Sequence, residues 1–162
     1  MFARRLLILA CVSLACPAIA VVPARADSVA DAKALIASGD LDGGSKMLNA
    51  IAASGDAATQ YAVGTTLLDL GKDHDALRWI TSSAERGHGN AQADMGLLYA
   101  SGTVVKQDLP RAFMWYFLAL KGNLDPSLRE GAQKNAKNVY AAMTSQERKE
   151  AERLILNWKP RA

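Results

Sequence analysis

Cysteine is nearly missing from this chain: there are two in 162 residues, Cys11 and Cys16, and both stand close to its start. Everything after Cys16 is therefore barred from forming a disulfide, a thiolate metal site or a cysteine nucleophile. Aromatic residues are also scarce, at 6%, and β-branched runs are short, so strands have little to build on. Only two histidines occur, His74 and His88. His74 lies between Asp73 and Asp75, which invites a metal-site reading, but no second ligand cluster follows at useful spacing. Acids near a helix start with a solvated imidazole are the simpler account. No Gly-x-Ser-x-Gly elbow and no phosphate-binding glycine loop is present. Glu147, Glu150 and Glu152 alternate with Arg148, Lys149 and Arg153, the pattern of an exposed charged helix. The expectation is a non-enzymatic protein with no catalytic residue, no cofactor and no metal.

Charge of one sign is missing too. The 19 lysines and arginines outnumber the 16 acids, but Arg4, Arg5 and Arg25 supply the whole excess. The rest is formally neutral, so the basic isoelectric point does not call for a nucleic-acid partner. Charge is uneven, with acids dominating 27–75 and bases dominating 128–162. Such asymmetry usually marks a solvated surface, and it can also orient a partner.

The start of the chain has the layout of a secretory signal. Arg4 and Arg5 precede an uncharged run over 6–22, and Ala24, Arg25 and Ala26 form a small-x-small cleavage site. Cleavage is expected after Ala26, leaving one domain over 27–162 that is periplasmic or secreted and meets the membrane only through the transient signal. An uncleaved anchor is the alternative, since the run approaches spanning length. Pro17, Pro23 and the Ala-Arg-Ala triplet oppose it. A lipid-bearing Cys16 would need a leucine where Ser13 stands.

What is abundant is alanine, in helical periodicity. Four helix hairpins can be drawn, over 28–54, 56–87, 90–122 and 127–158, and the fold class is all-α. In the first, Ala30, Ala34 and Ala37 are expected on one buried stripe, as are Met47, Leu48 and Ile51. Asp73, Asp108 and Asp125 stand where a carboxylate caps a helix start. Pro110 and Pro126 fall in first turns. Thr144 and Glu147 make a capping box. Gly71, Gly87 and Gly122 are placed for left-handed helix ends.

The second and third hairpins are similar to each other, and such self-similarity points to a stacked helical repeat. Over 90–122, Ala91, Met95, Gly96, Tyr99, Gly102, Val105, Asp108, Ala112, Trp115, Tyr116, Ala119 and Gly122 fall in register. Together they resemble one complete unit of the Sel-one-like repeat (SLR), a relative of the tetratricopeptide repeat. The preceding unit keeps Ala57, Gly64, Ala76, Trp79, Ala84 and Gly87 with a shorter loop, closer to a tetratricopeptide unit. The tail, with Met143 and Thr144 before an amphipathic helix ending Trp158, Lys159, Pro160, is similar to the end of many exported bacterial SLR proteins. The resemblance implies a right-handed α-solenoid used as an adaptor or scaffold, with no catalytic residues to carry over.

Gly64, Gly96, Ala76 and Ala112 are then close-approach positions, where added side chains overpack the repeat. Trp79, Trp115, Tyr99 and Phe113 are core aromatics. The opposite stripe of each first helix is the candidate binding face, with Tyr61, Thr65, Leu68 and Asp69 in one unit and Asn90 and Leu97 in the next. Apolar groups on such a face are how an interaction patch appears; coverage by a terminal hairpin is the competing account. The expected partner is an envelope protein or an extended peptide. The alternative is envelope glycan or cell wall, reached through the basic last hairpin. Self-association through the ends of a short stack also stays open.

Overall fold

Helices alone, with no strand, make up the described residues, 28–161, of the computed structural model. The expected export signal lies outside them. The order is α1 (Val29–Ala37), α2 (Leu41–Ser54), α3 (Ala57–Asp69), α4 (Asp73–Glu85), α5 (Gly89–Ser101), α6 (Leu109–Lys121), α7 (Pro126–Ala142) and α8 (Ser145–Asn157). Among the described residues no helix is long and apolar enough to cross a membrane.

Local chemistry sets most of the boundaries. Asp56 accepts from the Thr59 amide at 2.8 Å, Asp108 from Arg111 at 2.9 Å and Asp125 from Ser127 at 2.8 Å. Each satisfies a backbone donor that an opening helix leaves free. Thr144 and Glu147 close the expected capping box, and Ser28 with Asp31 makes a second one at α1. α2 begins two residues before the expected 43–53, because Asp40 caps it by accepting from the Gly43 amide.

The structure corrects three local expectations. Asp73 is the first residue of α4, not its cap; Lys72 holds that place and makes no side-chain bond to the helix. A lysine ammonium has no acceptor to offer a free helix amide, and the Lys72 amide itself donates back to the Leu67 carbonyl. Gly122 has φ −93°, outside the left-handed region, whereas Gly102 takes φ 69° at the end of α5. From Gly122 the chain leaves α6 extended, so that Asn123 reaches the Gly89 amide and Leu124 is buried. Ala30, Ala34 and Ala37 are exposed; the inner face of α1 is Val29, Ala32 and Ile36. Alanine carries little burial energy, so the larger side chains chose the face.

Packing proceeds from neighbour to neighbour. α1 pairs with α2, α3 with α4 and α5 with α6, and α2 against α3 and α4 against α5 join the pairs. Three apolar clusters follow one another along the stack. Ala32, Leu48, Val63, Leu67 and Trp79 serve α1–α4; Ile80, Met95, Met114 and Trp115 lie between α4, α5 and α6; Tyr116, Leu124, Ala132 and Val139 serve α5–α7. Gly64 and Gly96 permit the close approaches: a Cβ on Gly64 would come within 2.7 Å of Ile80, and one on Gly96 within 2.8 Å of the Tyr116 ring. Ala76 and Ala112 are fully buried, Trp79 and Trp115 are core, and Tyr99 and Phe113 are half-buried against it. Equivalent glutamines staple successive pairs, Gln60 donating to the Ala52 carbonyl and Gln92 to that of Ala84, each at 3.2 Å.

The last two helices depart from the expected hairpin over 127–158. α7 and α8 both pack on α6 in preference to each other. Met143 and Thr144 are extended, with ψ 140° and 164°, so the chain leaves α7 at an angle and does not fold back. α7 covers one side of α6 with Ala132, Ala136 and Val139. α8 covers another with Leu154, Ile155 and Trp158, which meet Trp115. Beyond α8 the Arg161 amide donates to the Glu85 carbonyl at 2.8 Å, tying the tail to the end of α4.

Candidate functional site

Two adjoining recesses, together called the groove, run across α3, α4, α5 and α7. α3 and α5 are not packed together along their length, whereas α5 touches α7. Into the gap between α3 and α5 open Leu68, Leu77, Leu97, Leu98, Val104 and Asp94, around a space of about 290 Å³. A smaller recess of about 160 Å³ continues toward α7, between Leu97, Leu128, Tyr116 and Asn135. Asp94 and Leu97 line both parts, which therefore adjoin. Leu68, Leu97, Val104 and Leu128 are large apolar side chains left 46, 53, 54 and 43% exposed. Together they form an apolar lining along three elements, beyond the scattered single exposures normal on a surface.

Polar groups are few on this lining, and all are acidic or neutral. Asp94 accepts from the Tyr61 hydroxyl at 3.0 Å, which ties α5 to α3 across the gap. Burial raises the Asp94 pKa above the ordinary carboxylate value, while the Tyr61 bond opposes that shift. Burial first, and then the Asp94 charge, keep Tyr61 protonated. The Tyr61 ring also lies over His88, centroids 4.7 Å apart. His88 caps α5 by accepting from the Ala91 amide at 3.4 Å. That contact needs an unprotonated ring nitrogen, and burial lowers the His88 pKa accordingly. On the groove floor, the Tyr116 hydroxyl is buried with no hydrogen-bond partner; Asn135 lies beside it without completing that bond. No lysine or arginine lines either part of the groove.

The six residues named from the sequence divide accordingly. Leu68 and Leu97 are on the groove wall. Tyr61 reaches it through Asp94. Thr65 shares the Tyr61–Leu68 face of α3, with its hydroxyl turned back to the Ala62 carbonyl at 3.0 Å. Asp69 is exposed at the end of that helix. Asn90 is not on the lining; its side chain accepts from the Asp125 amide at 2.9 Å and ties α5 to the start of α7. Asp94, Leu77, Leu98, Val104 and Leu128 were missed.

Elsewhere, a second opening of about 530 Å³ lies between Phe113, Leu120 and Tyr140. The Arg148 guanidinium sits over the Tyr140 ring, 4.4 Å from its centre. His74 is at the surface, and among the described residues no three His, Cys, Asp or Glu side chains gather where a metal ion could sit.

No protein-family model matches this chain, and no curated protein matches it. Among solved structures it is similar to a protective antigen present in uropathogenic Escherichia coli strains and displaying an SLR fold. The TM-score is 0.63 and the identity 22%, over 80% of this chain and 28% of that one. This likeness shows the fold, an all-α solenoid of the SLR kind. The chain accounts for 28% of the length of that structure.

Proposed function

We propose that this protein is a non-enzymatic periplasmic adaptor that binds an extended segment of an envelope protein in the α3–α5–α7 groove. The observation that carries this reading is the row of large apolar side chains left exposed along two recesses that adjoin at Asp94 and Leu97. Stacked helix pairs bury a core between neighbours and leave the first-helix face free, the surface such solenoids use for binding. Leu68, Leu97 and Leu128 supply apolar contact, and Tyr61 holds Asp94 in place. The periplasmic location rests on the signal layout ahead of Asp27.

A glycan or cell-wall partner was the other sequence reading, through the basic last hairpin. The arginines of that region are largely engaged within the fold: Arg129 with the Leu120 carbonyl, Arg148 with Tyr140, Arg153 with Glu150 and Arg161 with Glu85. Among the described residues, nothing in that region makes a recess lined by several large exposed apolar side chains like the one between α3 and α5, so the groove is preferred.

In-cell crosslinking followed by purification from envelope fractions tests the reading, with Leu68→Ser/Leu97→Ser as the comparison form. These positions are exposed, so melting should shift by less than about 0.5 kcal/mol equivalent. The expected result is a discrete protein recovered with the unmodified chain and lost with the double variant. Recovery of wall material equally with both forms would replace the adaptor reading with the glycan one.

A further inference from the structure

We propose that the groove captures its peptide through a lysine or arginine side chain whose cation seats on the Asp94 carboxylate. This rests on the groove reading above and names the chemistry of its partner.

Two independent features converge on one spot. Asp94 lies where the two parts of the groove meet, and its one bond inside the fold comes from Tyr61. No cation of the chain pairs with it among the described residues. A half-buried carboxylate without a counter-ion costs stability unless something else uses it. In addition, the approach to Asp94 is walled by Leu77, Leu97, Leu98 and Val104. Such walls suit the methylene stem of a long basic side chain whose charged head lies beyond them.

Charge complementarity excludes the opposite choice. Asp73 and Asp94 line the groove, Asp69 stands close by in sequence at the end of α3, and the lining carries no base. An acidic peptide would place like charges together in a partly desolvated site. The site also lacks a third metal-type ligand. A cation on a flexible apolar stem satisfies the carboxylate and the walls together.

Selection from a displayed library of random dodecapeptides tests this, using protein expressed from the full-length gene. Three baits run in parallel: the unmodified protein, Asp94→Asn, and Leu68→Ser/Leu97→Ser. Asparagine keeps an acceptor for Tyr61, so Asp94→Asn should melt no lower than the unmodified protein, which a thermal scan checks. The expected result is enrichment of a lysine or arginine flanked by apolar residues on the unmodified protein, lost on both variants. A synthetic copy of a selected peptide should then bind Asp94→Asn about 30-fold or more weakly, and its glutamine-for-lysine analogue should lose as much on the unmodified protein. Selected peptides without a basic residue that bind Asp94→Asn equally, yet fail on Leu68→Ser/Leu97→Ser, would overturn the cation assignment and leave the groove standing. Peptides indifferent to both variants, or no enrichment at all, would remove the groove reading with it.

Discussion

Gly96 and Tyr116 occupy what would otherwise be one another's space. A methyl group on Gly96 would meet three Tyr116 ring atoms at 2.8 to 2.9 Å, and that ring has nowhere to go. Gly96→Ala should therefore destabilise the protein by about 1–3 kcal/mol through overpacking, although alanine is the better helix former. Gly131, on α7, gives the matched control: nothing lies within 4 Å of its would-be Cβ. Gly131→Ala should gain about 0.5–1 kcal/mol, and urea unfolding of the pair measures both. The first position was legible in the sequence, because a glycine held inside a helix costs stability unless a neighbour needs the room. Asp94 was not, since its meaning depends on Tyr61 and Tyr116, which come from other helices. Its raised pKa carries a stability consequence of definite sign. The folded state holds the Asp94 proton more tightly than the unfolded chain does, so its contribution is full below the unfolded value and is lost as pH rises through the folded one. Asp94→Asn should thus be the more stable form near neutrality, and its advantage should shrink on acidification. Parallel thermal melts from neutral to acidic pH check this; an advantage that grows with acid would show that burial does not govern the group.

At the scale of elements, the helix limits were largely written in capping chemistry. Asp56, Asp108, Asp125 and the Thr144–Glu147 box stand where a short carboxylate or hydroxyl can reach a free amide, and that requirement is local enough to read from sequence. Orientation between elements was not readable in the same way. The two extended residues between α7 and α8 decide whether the helices fold together or splay, and Met143 and Thr144 do not advertise which. The outcome is that α8 serves α6, with Trp158 edge-on to Trp115 at 6.5 Å between centroids. Removing the box by Thr144→Ala should cost about 1 kcal/mol. Trp158→Ala, which uncovers Trp115 without touching a cap, should cost about 2–3 kcal/mol, short of a fully buried tryptophan because Trp158 is itself half-exposed. Intrinsic fluorescence during denaturation separates the two: only Trp158→Ala should also shift the folded-state emission of the remaining tryptophans.

Across the whole molecule, the core is distributed as three successive clusters, so stability should be carried by neighbouring interfaces and lost in pieces. Leu48 is fully buried in the cluster that joins α1 and α2 to Val63, Leu67 and Trp79 of the next pair. Leu48→Ala should cost about 2–5 kcal/mol, and the position of the damage matters more than its size. α5, α6 and α7 close their own cluster around Tyr116, and α8 with the Arg161–Glu85 tie braces the far side. Native-state hydrogen exchange of the Leu48→Ala form should accordingly show α1 and α2 opening first and α3 next, while amides of α5 and α6 keep most of their protection. The α5–α7 recess with Tyr116 would then persist when the α1–α2 pair has opened, and the part of the groove walled by Leu68 would loosen with α3. Uniform loss of protection across all helices would instead make the solenoid a single cooperative unit, with its groove no more stable than its weakest pair.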